Sequence, residues 1–135
     1  MAAFLRFNGA VRHDPQIDQW FDARHPDLAA IALLWFSEMR SCGGDVTELL
    51  HDGHPTACVG DAAFGYVNVF TAHVNIGFFH GATLDDPGRI LQGTGRFMRH
   101  VKAGPGALPD GACLKALVRA AYADIKGKLA AGQAT

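Results

Sequence analysis

The densest group of metal-ligand residues is His51-Asp52-Gly53-His54, with Glu48 three residues before it. Neutral imidazoles and carboxylates suit zinc or iron(II), so Glu48, His51, Asp52 and His54 are candidate ligands for such an ion. Their spacing matches neither H-E-x-x-H nor a His/Cys cluster, and the same residues suit a polar loop. A second group is Tyr66, Asn68, His73 and Asn75. They occupy alternate positions of two segments rich in Val, Ile, Phe and Tyr. Paired as strands, these segments place them on one face together with Phe64, Phe70 and Phe79. Val67, Val69, Val74, Ile76 and Phe78 fall on the other. Aromatic walls with a few convergent amides and imidazoles are what small-molecule sites are made of; a half-exposed sheet face under a loop would show the same pattern.

A third group runs from Gly93 to Lys102. Between Pro87 and Pro109 stand four bases (Arg89, Arg96, Arg99, Lys102) and no acid. Gly93-Thr94-Gly95 can turn backbone N–H groups toward an anion. It lacks the Lys-Ser/Thr of a phosphate loop and the third glycine of a dinucleotide fingerprint, and turn glycines at a helix end are the better-fitting reading. Arg99 alternates with Phe97 and Val101, so its guanidinium needs a carboxylate, a carbonyl or a bound anion. Arg96, Arg99 and His100 join Tyr66, Asn68, His73 and Asn75 as candidate ligand-binding residues. No nucleophile motif is present. Ser37 and Ser41 lie in a helical pattern, Cys58 has no activating neighbour in sequence, and Asp86 before Pro87 reads as a helix cap. Whether a reaction is catalysed stays open.

The elements that must position these groups follow from caps and periodicity. Residues 1–13 read as a loosely held arm. Asp14-Pro15 starts a helix that runs to about Ala23. Asp27 caps a second over 28–41, ended by Gly43-Gly44. Strands are expected at 46–51, 56–59, 64–70, 73–79 and 96–102, with a turn at Asp52-Gly53-His54-Pro55 and a short helix over 87–92. Only Thr71-Ala72 separates the central pair, and neither residue favours positive φ. Leu114, Leu117, Val118, Ala121, Tyr122, Ile125 and Leu129 mark a C-terminal amphipathic helix, and 130–135 reads as a frayed tail. Helices flanking a central strand block predict an α+β fold, an antiparallel sheet with helices packed on it.

The chain has 135 residues, within the size of one domain spanning 1–135. Hydrophobic residues are 49% and charged residues 19%, which excludes a disordered tail or a coiled coil. Net charge is −1, so a globally basic nucleic-acid binder is excluded. Charge is uneven. Residues 1–61 carry nine acids and four bases, and residues 62–135 carry four acids and eight bases. The three cysteines form no framework or C-x-x-C and suit a reducing cytoplasm. Arg6, Asn8 and Gly9 interrupt the N-terminal apolar stretch, so no signal peptide is read, and no apolar run reaches the roughly 18 residues of a membrane span.

The run YVNVFTAHVNIGFFHGATLDDPGRILQGTGRFMRHVK (66–102) resembles the YdhG-like family of small bacterial proteins, a group of unknown function. The resemblance rests on His73–Phe79, Gly81-Ala82, Leu84, Asp86-Pro87, Leu91, Gly93-Thr94-Gly95 and Met98–Val101. Upstream, Glu48–Pro55 is similar to an earlier strand and G-x-P turn of that family. It covers about residues 45–125 and implies a compact α+β domain. Some relatives are described as frataxin-like iron chaperones. The residues and the resemblance together lead us to expect a small, non-enzymatic cytoplasmic binding protein for a small anion. Iron or other metal handling is the alternative, and a small enzyme the third reading. Nucleic acid and membrane are not expected partners; an exposed hairpin edge would allow a homodimer.

Overall fold

Asp52 and Gly53 both take positive φ, 51° and 79°, the backbone of a two-residue hairpin turn whose twist matches its strands. In the computed structural model, which describes residues 4–133, this turn joins β1 (Val46–His51) to β2 (His54–Val59), with His51 opposite His54. Gly60, at φ 61°, opens the next turn into β3 (Ala62–Val69). β4 (Val74–Phe78) and β5 (Arg99–Ala103) complete a five-stranded sheet in which strand order is chain order and every pair is antiparallel. Three helices come before and after it: α1 (Pro15–Asp22), α2 (Pro26–Arg40) and α3 (Gly111–Gln133). The fold is α+β, as expected.

The caps explain the helix starts. The Asp14 carboxylate accepts from the Gln16 N–H at 2.9 Å. At α2 the cap is His25, not Asp27: its Nδ1 accepts from the Asp27 N–H at 3.3 Å. Pro26 is the first helical residue, where a missing N–H costs no hydrogen bond. Asp110 accepts from the Cys113 N–H, so α3 begins at Gly111. It continues through 133, into the stretch expected to fray; 134–135 lie outside the described residues. The helices cover one face of the sheet. Val67, Val74, Ile76, Phe78 and Val101 pack there against Ile17, Phe36, Met39, Leu114 and Val118.

The central hairpin sets Val67 opposite Ile76 and Val69 opposite Val74, which puts these residues on the face expected of an even-numbered turn. Its turn is two residues long, closed by the Phe70 N–H donating to the His73 carbonyl at 2.8 Å. Phe64 departs from the expected alternation. A bulge opposite Ala57 and Cys58 shifts the register, and Phe64 packs in the helix-side core with its ring 5.9 Å from Tyr122.

The segment between β4 and β5 also differs. No helix forms at 87–92. The Asp86 carboxylate accepts from the Ile90 and Leu91 N–H groups at 3.1 and 2.9 Å, and Arg89 takes φ 53°, which ends any right-handed helix. The last strand begins at Arg99 rather than 96. Its guanidinium donates from Nη1 to the carbonyls of Gly95 and Met98, folding 93–98 into a loop.

The N-terminal arm is tied down within its described part, from residue 4. The Phe7 N–H donates to Asp61, the Ala63 N–H to Leu5, and Val11 and Glu48 exchange both backbone bonds, all within 2.7–3.0 Å. The arm crosses the outer face of the sheet from β3 to β1, with Phe7 and Ala10 on Cys58, Ala63 and Phe79. The central hairpin is interior, not an edge. The true edges are partly paired, β1 by Val11 and β5 by Gln92. Among the described residues no helix is long and apolar enough to cross a membrane.

Candidate ligand-binding face

Alternation along β3, β4 and β5 puts Tyr66, Asn68, Asn75, His100 and Lys102 on the outer face, opposite the helices. The register sets Asn68 opposite Asn75, Asn75 opposite Lys102, and Gly77 between Tyr66 and His100. His73 follows the same alternation just before β4, its ring stacked on Phe70 at 4.7 Å. The Tyr66 ring lies over Gly77, where a Cβ would come within 2.0 Å of the ring carbons. It is flanked by His54 at 5.0 Å and Phe79 at 5.4 Å. Only glycine admits that close approach.

The electrostatics follow from burial. Burial holds the His100 imidazole below its ordinary pKa, with Lys102 and then His73 adding to the effect. Burial also lowers His54, with His51 adding, and raises the Tyr66 phenol. Lys102 therefore supplies the standing positive charge at neutral pH, while His100 is a neutral donor and acceptor. The Asn75 Oδ1 and His54 Nδ1 are buried without a hydrogen-bond partner among the described residues. An unpaired buried polar atom is costly. The outer-face positions of β3 to β5 hold no acid: Ala63, Tyr66, Asn68, Asn75, Gly77, His100 and Lys102.

Five of the seven expected ligand-binding residues thus come together: Tyr66, Asn68, His73, Asn75 and His100. Arg99 does not. It pairs with Phe78 on the helix-facing side of β5, and its partners are loop carbonyls. Arg96 lies in the exposed loop with its guanidinium 5.2 Å over the Phe97 ring. Lys102 was legible as a member of this face from the alternation Arg96, Met98, His100, Lys102.

The four expected metal ligands divide. His51 and His54 face outward, with His51 Nε2 3.4 Å from the Asp52 carboxylate, but the His51 ring packs on Phe7 at 4.4 Å. Glu48 points to the helix side, 1% exposed. There it takes both Arg40 Nε and Nη2 at 2.7 and 2.8 Å and the Asp14 N–H at 3.0 Å. Its lone pairs are committed, so it does not fit an iron or zinc site with His51 and His54. No group of three His, Cys, Asp or Glu side chains able to hold a metal occurs among the described residues. The Arg40–Glu48 pair had no local signal, since helix end and edge strand meet only in the fold.

Compared with family models, with curated proteins and with solved structures, the chain finds no match in any of the three.

Proposed function

We propose that the protein binds a small organic anion on the open half of the outer sheet face. The carrying observation is the convergence of Asn68, Asn75, His73, His100 and Lys102 on one acid-free surface, with the Asn75 amide oxygen unpaired. Lys102 offsets the charge of the anion, and the amides fix its orientation. The chemistry on offer is hydrogen bonding and charge pairing rather than covalent attack. Cys58, the cysteine on this face, is fully buried with its thiol pushed up to about 12. Three free cysteines support a cytoplasmic setting.

The test is a ¹H–¹⁵N NMR titration with citrate, a hydroxylated anion. The Asn68 and Asn75 side-chain amides should shift, and Lys102→Met should weaken binding about tenfold, the size of one charge-assisted contact. Anion binding favours imidazolium, and the free His100 pKa is depressed. The ratio of wild-type to His100→Gln affinity should therefore rise as pH falls below the ordinary imidazole range, since the protonation of citrate itself is common to both proteins. Shifts scattered away from this face, or indifferent to both variants, would sink the reading.

A further inference from the structure

Directly beyond the Tyr66 ring the outer face changes character. A groove of about 320 Å³ is lined by Phe4, Leu5, Phe79, His80, Phe97 and Met98. Phe79 is its buried member; Leu5, Phe97 and Met98 are 47%, 50% and 43% exposed. Isolated exposed apolar side chains are ordinary, but three around one concavity mark a binding groove. The arm carrying Phe4 and Leu5 is one wall, and the loop carrying Phe97 and Met98 is another. The volume is at the small end of ligand sites, room for a single chain or ring rather than a protein segment.

The groove and the polar end lie on the same face of the sheet. Phe79 and Asn75 are four residues apart along β4, about 13 Å at strand rise, with Tyr66 over Gly77 between them. One end of this stripe is apolar; the other carries Lys102 and His100 with no carboxylate. Arg96 adds a cation beside Phe97 at the groove rim. That charge distribution complements one headgroup sign only.

We propose that the ligand is an amphiphilic monoanion, a medium-chain acyl or aryl carboxylate, with its body in the Phe79–Phe97 groove and its carboxylate at Lys102 and His100. This rests on the anion reading above and names its ligand class. Binding is non-covalent and no bond changes.

The experiment is calorimetric titration of the full chain with butyrate, hexanoate, octanoate and decanoate, with decanol as the uncharged control. Affinity should rise with chain length by up to about fourfold per methylene, as for full burial. Decanol should bind at least tenfold more weakly than decanoate. Leu5→Asp and Phe97→Ser, both at exposed side chains, should each cut decanoate affinity about tenfold while leaving the citrate-induced shifts unchanged. Lys102→Met should weaken both ligands. Affinity independent of chain length overturns the amphiphile proposal even if citrate still binds, so the anion reading survives its failure. Equal binding of decanol, or decanoate binding unaffected by Lys102→Met, overturns it too. So does a concentration-dependent dimer dissolved by Leu5→Asp, which would assign the groove to a second copy. If neither citrate nor decanoate moves Asn68 or Asn75, both readings fall.

Discussion

Arg40→Met is expected to lower the stability of the protein by about 3–5 kcal/mol, the cost of stranding a buried charge. Arg40 ends α2 and meets Glu48 of β1 in a two-pronged pair of 2.7 and 2.8 Å. Glu48 is 1% exposed. Without the guanidinium its remaining close donor is the Asp14 N–H, with the exposed His13 imidazole 3.7 Å away. Methionine keeps much of the stem that packs on Phe36, over whose ring the guanidinium sits at 4.9 Å, so lost packing is a minor part. For a chain of this length the loss corresponds to a fall in Tm of roughly 10–20 °C. Arg40→Met/Glu48→Leu should recover most of it, because removing both partners strands nothing. Thermal unfolding of the two variants decides the matter. If the double variant melts with the single one, the loss comes from packing and the charge argument is wrong.

Gly77→Ala carries the second large effect. The added methyl would stand 2.0 Å from the Tyr66 Cε1 and Cζ, inside any permitted contact, so the ring must leave its place between His54 and Phe79. Forced repacking of this kind costs about 1–3 kcal/mol. The displaced ring also lies between the groove and the cationic end, so citrate and decanoate affinities should fall at least tenfold. Tyr66→Ala/Gly77→Ala separates the two effects. If the clash is the cause, the pair is less destabilised than the sum of the single variants. A Gly77→Ala protein with unchanged Tm and unchanged binding would show that the ring has another place to go.

The legibility of this fold in its sequence was uneven, and the reason is physical. Period-two alternation in 66–69 and 74–78 is a local property, so it put Val67 and Ile76 on one side and Tyr66, Asn68 and Asn75 on the other, while the pairing across the strands waited on the turn. The two-residue turn at Thr71-Ala72 was harder to foresee. Neither residue has positive φ, and the Phe70–His73 ring stack accompanies a turn that backbone preference alone would not choose. Phe64 was misplaced because a bulge resets alternation without leaving a mark in composition. The stretch 86–98 was misread because two side chains replace regular structure. Asp86 takes the amide hydrogens that a helix would bond internally, and Arg99 takes the carbonyls that a strand would present. Arg99 itself was posed as needing a carbonyl, a carboxylate or an anion; the Gly95 and Met98 carbonyls meet that need. Glu48 read as a metal ligand because its neighbours in sequence are histidines, whereas its neighbour in space is eight residues away on α2.

The strap formed by the arm sets an order on assembly. The sheet closes by turns between consecutive strands, whereas the ion pair of Arg6 with Asp61 spans 55 residues. Loop closure over that span costs more chain entropy than a hairpin, so the arm docks after the hairpins have closed. Until it docks, Cys58, Ala63 and Phe79 lack the cover of Phe7 and Ala10. Burial makes the Cys58 thiol unreactive in the finished fold, and undocking returns it toward ordinary thiolate chemistry. In a background with Cys42 and Cys113 replaced by serine, the alkylation rate of Cys58 is therefore a clock for the strap. Because Leu5 rides on the same arm, that clock also counts the molecules that possess a groove at all, and a ligand seated there must slow it.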